Sequence, residues 1–264
     1  GIEALEQALG GWRANPDWTA KAKAEKANWT GVSKRFTDPS NAELPSDMQV
    51  IGAVARARPN AILVSAAGGL PGELHRHWPA TFPGSYHCEY GYSTMGYEIA
   101  GALGVKLARP DSDVVVMLGD GSYMMLNSEI SSSVMLGRKL TIVLLDNRGF
   151  GCINRLQMAT GGANFNNLLE DTLHERMPEI DFVKHAESMG AVVRKAASIA
   201  ELESALQAAE ADARTSVVVI DTDPLAVTDV GGHWWDVAVP EVSPRAEVKA
   251  ARKKYEDAVK GQRF

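Results

Sequence analysis

The sequence is short of the features that would place it in several broad classes. Only two of its 264 residues are cysteines, Cys88 and Cys152. That is too few for a disulfide framework or a cysteine zinc cage, so a reducing compartment is expected. No apolar run approaches the roughly 18 residues of a transmembrane helix, and no membrane partner is expected. Lysine and arginine number 27 against 33 aspartates and glutamates, for a net charge of -6, and no basic block stands out to grip a phosphate backbone, which argues against nucleic acid. There is no Gly-x-Gly-x-x-Gly after an early strand and no Walker A sequence. The start carries no secretory pattern, so a cytoplasmic location is expected. Because the chain opens on Gly1, and its first 45 residues do not read as the start of an α/β domain, it is expected to be a piece of something longer.

What remains is a chain that is 45% hydrophobic and 23% charged, with a mean hydropathy of -0.15, which describes an ordinary globular protein. Residues 1–45 are rich in Ala, Lys and Glu, carry Trp12, Trp18 and Trp29, and are broken by Gly10-Gly11, Pro16, Pro39 and Pro45. They read as a linker or helical extension that packs its tryptophans on a neighbour. From residue 46 short apolar runs recur at 61–64, 114–118, 140–145 and 217–220. Runs of four to six Val- and Ile-rich residues without polar alternation fit strands buried on both faces of a parallel sheet. Helix-like stretches at 96–108, 127–136, 181–189 and 199–213 alternate with them. The expected fold is therefore α/β, a doubly wound, mostly parallel sheet with helices on both faces. The domain reading is an extension at 1–45, a binding domain at 46–235 and a helical tail at 236–264.

The ends of the runs carry the chemistry. In an open parallel sheet, ligands sit beyond the carboxyl ends of the strands, and there the sequence has Gly119-Asp120-Gly121-Ser122 and Asp146-Asn147. Glycines let backbone N–H groups approach an anion. Asp120 brings a hard oxygen, Asn147 a neutral one, and Gly149 a carbonyl that can turn inward. Carboxylate, amide oxygen and carbonyl make half an octahedron, which phosphate oxygens and water can complete around Mg²⁺. A lone Gly-Asp-Gly reads as a turn; Asn147, 27 positions later and one strand–helix–strand unit away, lifts it to a magnesium-bridged diphosphate site.

Gly119-Asp-Gly121 through Asn147 resembles the cofactor motif of the thiamine-diphosphate-dependent enzymes. The segment 91–97 is similar to Gly-x-Gly-Thr-Met-Gly-Phe of the acetohydroxyacid synthases. The longer stretches at 69–75, 87–101 and 144–151 resemble most closely the trihydroxycyclohexanedione hydrolases, the ring-opening enzymes of myo-inositol breakdown. The resemblance covers residues 46 to 235. It implies thiamine diphosphate and Mg²⁺ as cofactors, with Asp120, Asn147 and the Gly149 carbonyl on the metal. The Gly121 and Ser122 amides, in the turn opened by Gly119, would meet the diphosphate, and Gly72 and His75 a second diphosphate loop. The carbonyl of Ser93 and the amide of Met95 would hold the pyrimidine edge, while the Met95 side chain props the cofactor in its bent form; on spacing alone Met95 reads equally as core.

Leu156 stands where the synthases carry a tryptophan, which counts against keto-acid synthesis and makes Arg155, Leu156 and Gln157 candidates for the substrate side; a solvated Arg and Gln on a helix is the plain alternative. The family activates its cofactor through a glutamate on a separate pyrimidine-binding domain from a partner subunit. No glutamate here matches that motif, so no catalytic residue is assigned in this chain, and a homo-oligomer, at least a dimer, is expected. The readings are a hydrolase of a cyclic 1,2-dione, a small-molecule substrate; a 2-keto-acid carboligase or decarboxylase; or a non-catalytic binding module. His174, His185 and His233 have no partner at metal spacing, Glu98 and Glu129 fall on helices, and Trp234-Trp235 reads as a docking contact. Residues 155–180 lack periodicity and suggest a lid.

Overall fold

A computed structural model describes residues 1–230 and 238–261. The chain divides into two compact units, Gly1–Phe36 and Thr37–Phe264. The first holds α1 (Ile2–Ala8) and most of α2 (Pro16–Thr37). Neither helix has a buried residue, Trp12 and Trp18 are exposed and Trp29 is half-buried.

The second unit runs α3 (Asp47–Ala57), β1 (Ile62–Ser65), α4 (Gly69–His77), β2 (Tyr86–Cys88), α5 (Tyr97–Ala108) and β3 (Val114–Gly119). It continues through α6 (Asp120–Met125), α7 (Glu129–Met135), β4 (Thr141–Asp146), α8 (Gly151–Ala159), α9 (Phe182–Ser188) and β5 (Val192–Ala196). It ends with α10 (Ile199–Ala208), β6 (Ser216–Asp221) and α11 (Ala246–Lys260). Among the described residues six strands lie in the order β2-β1-β3-β4-β6-β5, every pair parallel. The α/β parallel-sheet expectation is met.

The unbroken apolar runs are explained by burial on both faces. Along β3, Val115 and Met117 join one core cluster with Val50, Leu63 and Leu206, while Val116 and Leu118 join the other with Ile99, Ile142 and Phe182. Successive strand residues point to opposite faces, and here both faces are covered by helices. Each fully buried Leu, Ile or Met contributes about 1.5–3 kcal/mol, so these strands form the stiff centre of the unit.

Topology then selects the ligand edge. From β1 the chain moves outward to β2, whereas from β3 it moves the opposite way to β4. The connections leaving β1 and β3 diverge, and a crevice opens between them at the carboxyl ends of the strands. The register pairs Gly119 with Leu145, which sets Asp120 and Asn147 on adjacent strand ends. Residues 155–159 of the expected lid close α8 instead; beyond it residues 160–180 are irregular apart from one turn at Leu169–Asp171.

Candidate functional site

Asp120 is the first residue of α6, straight after β3, and is buried. Its Oδ2 accepts the Gly149 N–H at 2.9 Å. Its Oδ1 and the Oδ1 of Asn147 are both buried and meet no hydrogen-bond donor among the described residues. Buried oxygens in that state are costly and mark a place where something electropositive belongs. Burial first, and then the neighbouring Asp146, pushes the Asp120 carboxyl up to about 7, against the Gly149 N–H and the nearby backbone dipoles of Asn147 and Gly121. Among the described residues no group of three or more His, Cys, Asp or Glu could cage a metal. One carboxylate with neutral oxygens instead fits Mg²⁺, which keeps waters and phosphate oxygens in its shell. The residues present thus fit the implied cation.

The turn carrying Asn147 is shaped by two positive-φ residues, Arg148 at 60° and Gly149 at 145°. A Cβ at Gly149 would stand 2.4 Å from the Asn167 carbonyl oxygen, so only glycine lets the chain pass. Phe150 N–H donates to Asn167 O at 2.7 Å, Leu169 N–H donates to Arg148 O at 3.0 Å, and Gly149 bridges Leu168. The irregular 160–180 segment is thereby stitched to the turn that carries Asn147.

The cleft in front of these oxygens is lined by Gly68, Gly119, Gly121, Ser122, Ser93 and Met95, among others. Over Gly121 a Cβ would stand 2.7 Å from the Phe150 ring and 3.5 Å from Met95 Cε, so the glycine makes room for both side chains. The 89–96 loop is shaped by Glu89, which accepts from Tyr92 N–H at 3.1 Å and Thr94 N–H at 2.7 Å, and Ser93 takes a φ of 55°. Glu98, 1% exposed, accepts from Gly96 N–H at 2.9 Å, and burial raises its carboxyl against the nearby Ser122 hydroxyl. Glu98 thus stands between the 93–96 loop and the Gly119–Ser122 turn.

The other expected residues separate. Gly72 and His75 sit on α4 outside the cleft lining, and the His75 ring meets Tyr86 and Tyr90 edge-on at 5.6 and 5.1 Å. Of the three substrate-side candidates only Arg155 lines the cleft. Leu156 is half-buried on α8, as is Gln157, whose side chain accepts from Asn167 Nδ2. His174 Nε2 pairs with Leu169 O at 2.6 Å and His185 Nδ1 with the Tyr123 hydroxyl at 2.9 Å. Glu129 opens α7; His233, Trp234 and Trp235 lie outside the described residues.

Asp47, Gly69 and Cys152 also line the cleft, and the sequence reading passed over them. Asp47 follows Ser46 of a Ser-x-x-Gln cap, a helix-start signal that was there to be read.

Residues 66–222 match the family model described as thiamine pyrophosphate enzyme, C-terminal TPP binding domain. The chain is 36% identical over 251 residues to 3D-(3,5/4)-trihydroxycyclohexane-1,2-dione hydrolase of Bacillus licheniformis, covering 92% of this chain and 39% of that protein. It is 43% identical over 207 residues to the protein of the same name from Geobacillus thermodenitrificans, covering 76% and 32%. The chain therefore spans about a third to two-fifths of the length of these curated relatives. Among solved structures, a thiamine diphosphate-dependent 4-hydroxybenzoylformate decarboxylase of Rhodococcus jostii superposes with a TM-score of 0.62 at 22% identity, over 70% of this chain and 34% of that one. This last likeness is one of fold.

Proposed function

The chain belongs to the thiamine pyrophosphate enzyme family, through its C-terminal TPP-binding domain, and from that premise we propose that it is the diphosphate- and Mg²⁺-binding part of a cytoplasmic hydrolase that opens trihydroxycyclohexane-1,2-dione to 5-deoxyglucuronate in inositol catabolism. One observation carries the site: the two buried, donor-less oxygens of Asp120 and Asn147 on adjacent strand ends. The names of the relatives support the substrate.

Asp120, Asn147 and the Gly149 carbonyl would hold the cation that compensates the diphosphate, and the Gly121 and Ser122 amides would donate to its oxygens. The Ser93 carbonyl and Met95 N–H would hold the pyrimidine edge, and Met95 with Phe150 walls the cleft beside Gly121. When bound, the cofactor supplies a nucleophilic thiazolium carbon and a sink for the electron pair of the broken C–C bond. The chain's own work is to place that group and to compensate its charge. A pyrimidine-binding domain of a second subunit contributes the activating glutamate, so the working unit is a homo-oligomer.

The test compares consumption of trihydroxycyclohexane-1,2-dione and of pyruvate by the full-length enzyme with thiamine diphosphate and Mg²⁺. Turnover of the dione is expected. Turnover of pyruvate alone would keep the cofactor site and overturn the substrate.

A further inference from the structure

A second carboxylate lines the cleft, on a different element from Asp120. Asp47 opens α3, but the helix cap is made without it: Ser46 Oγ accepts from Gln49 N–H at 3.3 Å, and Gln49 Oε1 accepts from Ser46 N–H at 2.9 Å. The Asp47 residue is 4% exposed and lines the cleft. Its carboxylate accepts no hydrogen bond from any described residue; it feels only the charges of Arg155, Glu73 and Asp223. Burial pushes its carboxyl up to about 6, with Arg155 opposing. A carboxylate taken out of water and given no donor is unfavourable unless a ligand supplies one.

Arg155 lines the same cleft. Its Nη1 donates to the Pro224 carbonyl at 2.6 Å, and its Nη2 occupies the space a side chain at Gly69 would need, 2.2 Å from an added Cβ. The guanidinium is therefore held in place by α4 and by the segment after β6. It is the nearby positive charge that steadies Asp47, yet the two make neither a hydrogen bond nor an ion pair. An oriented donor group and a donor-hungry acceptor, separated across one cleft, suit a ligand with a hydroxyl beside another oxygen.

Resting on the function proposed above, we infer that Asp47 and Arg155 read the hydroxyl-bearing part of a neutral polyhydroxy ketone, Asp47 accepting from a hydroxyl and Arg155 donating to a neighbouring oxygen.

The test is made in the full-length enzyme with Asp47→Asn and, separately, Arg155→Lys. Three quantities are read: kcat/KM for the trihydroxy dione, the inhibition constant of unsubstituted cyclohexane-1,2-dione, and the calorimetric affinity for thiamine diphosphate with Mg²⁺. Losing a hydrogen bond to a charged group predicts a fall of about 10- to 100-fold in kcat/KM for each variant. The other two quantities should stay within about threefold of the unaltered enzyme. Equal losses on the hydroxylated and bare rings would overturn the inference, and so would lost cofactor affinity, which would assign the pair to the diphosphate. An unaltered enzyme that leaves the dione untouched would refute the function itself, and the inference with it. Asparagine is isosteric and removes a buried charge, so cofactor affinity also reports that the variant is folded.

Discussion

Replacing Asp120 with asparagine should make the metal-free protein more stable while destroying its use of the metal. In the fold, burial and Asp146 hold the Asp120 carboxyl at about 7, against an ordinary 3.8. A carboxyl that binds its proton more tightly folded than unfolded stabilises the fold fully only below about pH 4. That stability drains away as the pH rises from about 4 to about 7. About three pH units at roughly 1.4 kcal/mol each put the loss near 4 kcal/mol above pH 7. Asparagine does not ionise, and its amide carbonyl can still take the Gly149 N–H that Asp120 Oδ2 accepts. Urea unfolding of metal-free protein at pH 8 should therefore show Asp120→Asn about 2–4 kcal/mol more stable than the parent, the difference closing toward pH 4. Adding Mg²⁺ and thiamine diphosphate should stabilise the parent and leave the variant unmoved. A variant less stable than the parent at pH 8 without metal, or one that keeps its Mg²⁺-dependent stabilisation, would refute the reasoning.

Two further outcomes are expected. Gly149→Ala forces a Cβ to 2.4 Å from the Asn167 carbonyl oxygen at a φ of 145°; strain and overpacking together should cost about 2–4 kcal/mol in urea unfolding and weaken Mg²⁺-dependent cofactor binding. Thr228→Val removes the hydroxyl shared by His77 Nε2 at 2.7 Å and Glu73 Oε2 at 2.5 Å, leaving Glu73 and His77 buried with a lost partner. Amide exchange across residues 222–230 should accelerate by about 10-fold or more, a loss of about 1.5–3 kcal/mol, while β3 and β4 keep their protection.

The central strands were legible because nothing about them depends on context. An uninterrupted Leu-Thr-Ile-Val-Leu-Leu is satisfied by burial on both faces, and Leu140 with the first five residues of β4 has it. The edge strands were not, since an edge needs less burial. β5 carries Arg194 and Lys195, which pair with Asp212 and Asp221 rather than with the core, and β2 is three half-buried residues. The start of α4 reads Gly-Leu-Pro-Gly, a turn by every local rule; it is helical because Leu70 and Leu74 complete the core. At the site, Asp120 and Asn147 were visible through their spacing. Asp47 follows a readable helix-start signal, but nothing local says that it lines a cleft: it is brought there because α3 packs beside α4. Glu98 was seen only as a helix residue, since nothing in the sequence says that Gly96 and Ser122 converge on it.

The pairing of Gly119 with Leu145 bears on how affinity for a cation varies with temperature. Because Asp120 and Asn147 are carried at the ends of β3 and β4, hydrogen-bonded neighbours in the buried centre of the sheet, their separation is fixed during folding. Capture of an ion then immobilises few additional torsions. The binding entropy should be dominated by release of water from the ion rather than by ordering of the polypeptide, so the heat-capacity change on metal binding should be small beside that of a site assembled from loops.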